Sequence, residues 1–257
     1  MHLNQRQQAI LEQLLTQESA TVSELSQLFD VSPVTIRSDL GLLADQGRVM
    51  RTHGGARIVP GRTRQELTFA TRQEINLERK RRIGEVAASL IEPVESILLD
   101  ASTTAVSVAQ AIKRREDLRD VTVVTTGIWT ALEVLGALDV NVVLTGGAVR
   151  NTTGSITGSI TEQALAQFNF HKVFLGAWGV TLEEGLTDTH LAEVELKRAI
   201  IERAQSVICI LDGSKFGRLG LTSFASVEEI DHLITDDSAP GEMINALRAQ
   251  GVEVHVA

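Results

Sequence analysis

In the first third of the chain, apolar side chains recur at helical spacing. Ile10, Leu11, Leu14 and Leu15 form one apolar face and predict a helix from Asn4 to Gln17. A short polar break follows. Thr21 and Glu24, three residues apart, form a capping box in which hydroxyl and carboxylate each satisfy a backbone N–H. It predicts a second helix, Val22 to Phe29, burying Val22, Leu25 and Leu28 or Phe29. After a tight turn at Asp30-Val31, Ser32 suits an N-cap and Pro33 a first helical residue, where its missing N–H costs nothing. The third helix should run from Pro33 to Ala44 with Ile36, Leu40 and Leu43 inward, and Gly47 should end it. Arg48–Thr52 and His53–Ala56 then read as strand, turn and strand.

Beyond residue 76 the pattern changes. Short β-branched runs predict strands at Ile97–Leu99, Val121–Thr125, Val140–Thr145, Lys172–Gly176, Ser206–Leu211, His232–Thr235 and Val252–Val256. Between them lie amphipathic stretches, Thr103–Ile112, Ile128–Leu138, Thr157–Gln167, Ala192–Ala204 and Gly241–Ala249. Such alternation implies an α/β domain with a mostly parallel sheet and helices on both faces. Residues 61–76 are polar without an apolar period and read as a linker, dividing the chain into domains 1–60 and 77–257. Arg79-Lys80-Arg81-Arg82 is either a solvated helix face or a phosphate-contacting patch.

Charge alters this picture only through its distribution. The net charge of -9 looks unfavourable for nucleic acid. Yet residues 1–64 carry 7 Arg against 6 acids, and residues 48–64 hold five arginines and no acid. Because salt screens charges beyond about 8–10 Å, a local basic surface can act despite an acidic body. No apolar run approaches the roughly 18–20 residues that span a bilayer. Met1 to Gln8 is polar and lacks a signal core, so a cytoplasmic location is expected. The lone Cys209, in an apolar run, fits a reduced compartment and a buried strand.

Two groups of side chains carry candidate chemistry. A helix-turn-helix offers the start of its second helix to base edges in the major groove. This gives Ser32, Thr35, Arg37 and Ser38 as DNA contacts, Arg37 having the fork geometry for guanine, with Arg48, Arg51 and His53 on a wing beside the backbone. In open α/β sheets the ligand crevice lies beyond the carboxyl ends of the strands. The segments there supply Asp100, Ser102, Thr103, Thr104, Thr125, Thr126, Gly146, Gly147, Arg150, Trp178, Asp212 and Lys215. Helix-opening hydroxyl residues and glycines suit a phosphate, Arg150 and Lys215 can neutralise it, and Asp100 and Asp212 suit sugar hydroxyls. No catalytic residue, cofactor or metal ligand is assigned.

The string from Val22 to Leu40, followed by Arg51-Thr-His-Gly-Gly-Ala56, closely resembles the DeoR family of bacterial regulators. Family members usually read Thr-Ile-Arg-Arg-Asp-Leu, whereas this chain has Ser38 in place of the second arginine. The second domain resembles the family's effector domain at Asp100–Thr104, Thr125-Thr126, Gly146–Arg150 and Asp212–Phe216, and less closely at Glu193 and Lys197. Ala101-Ser102, Thr126 and Trp178 depart from the family pattern. The resemblance implies a winged helix-turn-helix followed by a fold similar to ribose-5-phosphate isomerase. It also implies an operator-DNA-binding repressor of carbohydrate genes, a homodimer or homotetramer, released by a phosphorylated sugar or polyol. The alternative is a sugar-phosphate isomerase-like enzyme with a DNA-binding appendage.

Overall fold

The computed structural model describes residues 5–17, 19–45, 48–57 and 69–257, which form two compact units, Met1–Asn76 and Leu77–Ala257. The first unit contains α1 (Gln5–Gln17), β1 (Ser19–Thr21), α2 (Val22–Leu28), α3 (Pro33–Asp45), β2 (Met50–Thr52), β3 (Gly55–Arg57) and α4 (Phe69–Glu74). Its three strands form an antiparallel sheet in the order β1-β3-β2. Ile10, Leu11, Leu14, Leu25, Ile36, Leu40 and Leu43 are buried together, as their spacing requires. The capping box is present, with the Thr21 N–H donating to Glu24 Oε2 at 2.7 Å and the Glu24 N–H to Thr21 Oγ1 at 3.2 Å. Ser32 Oγ accepts the Thr35 N–H at 3.2 Å and so caps α3.

Several expectations need correcting in this unit. The polar break before Thr21 is strand β1, because its backbone pairs with β3. Leu28 is exposed, while Phe29 is the partly buried one that packs on the core. The segment expected to be a linker contains α4, with Phe69 and Thr71 buried, and Ile75 joins the core of the first unit. Asn4, the Leu15 side chain, Gly47 and residues 58–68 lie outside the described residues.

The second unit is built on a seven-stranded sheet whose strands all pair in parallel. In chain order it contains α5 (Leu77–Ser89), β4 (Ser96–Leu99), α6 (Thr103–Ile112), β5 (Val121–Thr125), α7 (Ile128–Val134), β6 (Val140–Leu144), β7 (Ala148–Val149), β8 (Ile156–Thr157), α8 (Ser159–Leu165) and β9 (Phe170–Leu175). There follow β10 (Gly179–Thr181), β11 (Gly185–Asp188), α9 (Leu191–Ile201), β12 (Ala204–Ile210), β13 (Thr222–Ala225), β14 (His232–Thr235), α10 (Gly241–Ala249) and β15 (Glu253–Val256). The main sheet runs β15-β14-β12-β9-β4-β5-β6. Each of the seven anticipated strands is in it, with ends shifted by up to two residues.

Strand alternation builds two apolar layers. Leu98, Val173, Leu175, Val207, Cys209, Leu233 and Val254 belong to one. Ile97, Leu99, Phe174, Ile208, Ile210 and Ile234 belong to the other, with Ile83 and Ala87 of α5 and Val108 of α6. Cys209 is fully buried, and burial pushes its thiol well above the usual range. Helices α7 and α9 end earlier than their apolar periods suggested. Thr157, expected to open a helix, instead joins Ile156 in β8 against β7, and Gly158, at φ 98°, turns the chain into α8. A small antiparallel sheet, β10-β11-β13, was not anticipated. No helix among the described residues is long and apolar enough to cross a membrane.

Candidate functional site

In the first unit the capped start of α3 leaves Arg37 and Ser38 exposed and Thr35 partly so. Arg51 and His53 are exposed on and beside the hairpin, whose tip residue Gly54 takes φ 127°, open to glycine at little cost. What holds α3 is Asp39. It is buried, and it accepts from Arg6 Nε at 2.7 Å and Gln7 Nε2 at 3.0 Å, joining α1 to α3. Arg48 departs from expectation. Its guanidinium turns to Glu74, both terminal nitrogens lying 3.4 Å from Oε2, and its side chain is only 14% exposed. An arginine already paired at a half-buried site is poorly placed to meet phosphate.

In the second unit the chain winds from β4 outward through β5 and β6, and in the other direction through β9, β12, β14 and β15. The switch therefore falls between β4 and β9, where open α/β sheets place their ligands. Asp100 and Gly176 follow those two strands, and the Gly176 N–H donates to Asp100 Oδ2 at 2.7 Å. Asp100 Oδ1 accepts the Ser102 N–H at 2.9 Å, and Ser102 Oγ caps α6 through the Ala105 N–H at 3.1 Å. The Asp100 carboxylate, expected to meet ligand hydroxyls, thus braces the loop. Thr103, Thr104, Thr125 and Thr126 are buried. Thr125 Oγ1 accepts the Gly127 N–H at 3.1 Å, which is turn chemistry.

Helix α9 knits these loops together. Lys197 Nζ is buried, donating to Asp188 Oδ2 at 2.7 Å and to the Gly176 carbonyl at 2.8 Å, and lies 3.9 Å from Asp100 Oδ2. Burial opposes its charge, but Asp188, Asp100 and Glu193 outweigh that and raise its pKa above the usual value. One turn earlier, Glu193 Oε1 accepts from Arg150 Nη1 at 2.9 Å and from Ser155 Oγ. Arg150, expected to neutralise a ligand, is therefore already ion-paired. Gly147, at φ 142°, lies so close to Thr161 that a Cβ would meet its Oγ1 at 2.2 Å, while Gly146 and Gly147 both stay exposed.

The third group lies beyond β12. Asp212 is buried and accepts the Ser214 N–H at 3.1 Å. Burial would raise its pKa, but Lys215, Lys80 and Ser214 hold it below the usual carboxylate value. Two cations lie over the Trp178 ring, Arg218 4.6 Å from its centroid and Lys215 Nζ at 5.9 Å. Burial lowers the pKa of Arg218, and Asp212 offsets part of the effect. The cation run of α5 thus divides. Arg81 pairs with Glu78 and Glu85 at the surface, Arg79 and Arg82 approach Asp236 and Asp237, and Lys80 is buried near Asp212.

Sequence reasoning missed Arg218, Asp188 and Asp236, and placed Lys80 at a surface. Asp236 follows β14 and accepts the Gly213 N–H at 2.8 Å. Its position at a strand's carboxyl end was the available signal. Arg218 carried none, since only the folded loop lays it on Trp178.

Comparison with known proteins covers nearly the entire chain. Residues 6–61 match the DeoR-like helix-turn-helix domain, and residues 75–237 match the DeoR C terminal sensor domain. The HTH-type transcriptional regulator GolR of Listeria innocua is 34% identical over 254 residues, covering 98% of each chain. The glycerol-3-phosphate regulon repressor of Escherichia coli K12 is 31% identical over 256 residues, covering 100% of both. A solved D-ribose-5-phosphate isomerase in complex with phospho-erythronic acid aligns with 55% of this chain and 54% of its own, at 19% identity and a TM-score of 0.41. A likeness of that degree bears on neither activity nor ligand.

Proposed function

The chain belongs to the DeoR family of DNA-binding transcriptional regulators, and we propose that it is a cytoplasmic repressor of carbohydrate-metabolism genes, released from operator DNA by a phosphorylated sugar or polyol. The observation that carries the ligand half is the gathering of Lys80, Lys215 and Arg218 about Asp212 beside Trp178. Removing cations from water is costly, and an incoming phosphate would offset that cost. The ring of Trp178 supplies a flat wall against which a small polyol could lie. That a relative is named for the glycerol-3-phosphate regulon fits this ligand class. On the DNA side, exposed Arg37 and Ser38 on α3 and exposed Arg51 and His53 on the hairpin support one reading helix with a flanking wing.

The isomerase alternative requires a carboxylate able to take a proton from the substrate. Asp100 instead receives two backbone N–H groups, and Asp212 receives the N–H and the hydroxyl of Ser214. Both are occupied as acceptors, which favours binding over catalysis.

A panel of phosphorylated sugars and polyols, with unphosphorylated controls, tests the proposal by thermal shift and by operator release. A true effector at 100 times its dissociation constant adds about 2.7 kcal/mol of stability. Lys215→Ala should weaken that ligand by about 1.5–3 kcal/mol while leaving ligand-free operator affinity unchanged, giving a protein that stays on DNA. Release by unphosphorylated controls alone would overturn the phosphate reading. Protein-dependent proton exchange beside the carbonyl of a sugar phosphate would favour the enzyme.

A further inference from the structure

Strands β14 and β15 open with His232 and Glu253, which are register partners, and His255 follows on the same face, opposite Ile234. We propose that His232, Glu253 and His255 form a surface site for a divalent transition ion of the zinc class, independent of the effector and DNA sites. Their polar atoms are already grouped. His232 Nδ1 lies 3.4 Å from His255 Nε2 and 3.5 Å from Glu253 Oε2, and His255 Nε2 lies 3.3 Å from Glu253 Oε1. Zinc with bonds of about 2.0–2.1 Å to nitrogen and oxygen in tetrahedral geometry needs ligand atoms about 3.4 Å apart. The two ring nitrogens already stand at that edge length, and the two short contacts of Glu253 go to different oxygens, so that a rotation of its exposed side chain would bring one oxygen to both, the three ligand atoms lying within 4.8 Å of one another.

The ligand types narrow the occupant. Two imidazoles and one carboxylate suit zinc and its first-row neighbours, whereas magnesium and calcium take oxygen cages. The imidazole rings lie 5.6 Å apart, centroid to centroid, and 25° from parallel. The histidines are 26% and 25% exposed and Glu253 is 65% exposed, so an ion can enter and a water can complete the fourth position. Because β15 is the sheet's edge strand, an ion held there would clip the last strand to its neighbour.

The test uses the full chain without a histidine tag, stripped with a chelator and titrated with zinc chloride by calorimetry, then with cobalt(II) chloride by visible absorption. The expected result is one zinc per chain, the intense absorption of tetrahedral cobalt, and a higher melting temperature with zinc. His232→Ala and His255→Ala should each weaken binding at least about ten-fold and abolish the zinc-dependent rise. Glu253→Gln, a gentler change, should weaken it as well, while His171→Ala should not. Circular dichroism without metal confirms that each variant is folded. Failure of the wild-type chain to take up zinc, uptake unchanged in the His232→Ala/His255→Ala double variant, or equal affinity for magnesium would each overturn the site. None of these readouts involves DNA or a sugar phosphate, so they stand or fall apart from the proposed repressor role.

Discussion

Two arginines of the first unit show how far a residue's role depends on its neighbours. Arg37 and Arg48 are both basic positions in a nucleic-acid-reading unit, and sequence treats them alike. Ser32 caps α3 and leaves Arg37 in solvent, whereas Glu74 claims Arg48. Arg37→Ala should weaken specific operator binding by about 1–3 kcal/mol and random DNA by less. Arg48→Ala should instead leave operator discrimination intact and change stability by up to about 1 kcal/mol. Titration of both variants on operator and random DNA in matched salt separates the roles. Equal losses for Arg37→Ala on the two DNAs would make it a phosphate contact.

Elements are set by period and by caps, but their contact is set by size. Helices α5 and α6 approach so closely at Gly84 that an added Cβ would meet the Ser107 carbonyl carbon and oxygen at 2.6 Å. Only backbone lies there, so no side chain can swing aside. Gly84→Ala should therefore destabilise the second unit by about 1–3 kcal/mol despite alanine's better helix propensity. Urea unfolding measures this, and a neutral or stabilising result would mean the helices separate freely. The charge run read in α5 from the sequence says nothing about this contact. The same limit explains β8: the local pattern from Thr157 allowed a helix, and pairing with β7 decided for a strand.

At the scale of the whole molecule, one edge of the main sheet is apolar where it meets solvent. Trp129, Leu132 and Leu135 recur along α7 and are exposed, Leu132 by 57%, and Leu144 is exposed on edge strand β6. Exposed apolar side chains grouped beside a sheet edge mark a surface for association. Were the homodimer or homotetramer that the family resemblance implies formed there, Leu132→Glu should shift the protein toward monomer and weaken binding to a two-half-site operator. Sedimentation equilibrium reads the mass, and unchanged oligomer mass in the variant would rule out this edge.

By itself the sequence determined the first three helices, the caps that start α2 and α3, the seven strands of the main sheet with helices between them, and the loops that carry polar residues at their carboxyl ends. Those features rest on interactions spanning a few residues, or on alternation that any sheet register preserves. Tertiary structure alone decided which polar groups meet. It gave Asp100 and Arg150 partners within the protein, buried Lys80 beside Asp212, laid Arg218 on Trp178 and joined Asp39 to Arg6. It also brought His232 within reach of His255 across 23 residues of chain. A charged side chain's role depends on the nearest opposite charge, and that distance exists only once strands are in register and helices are packed.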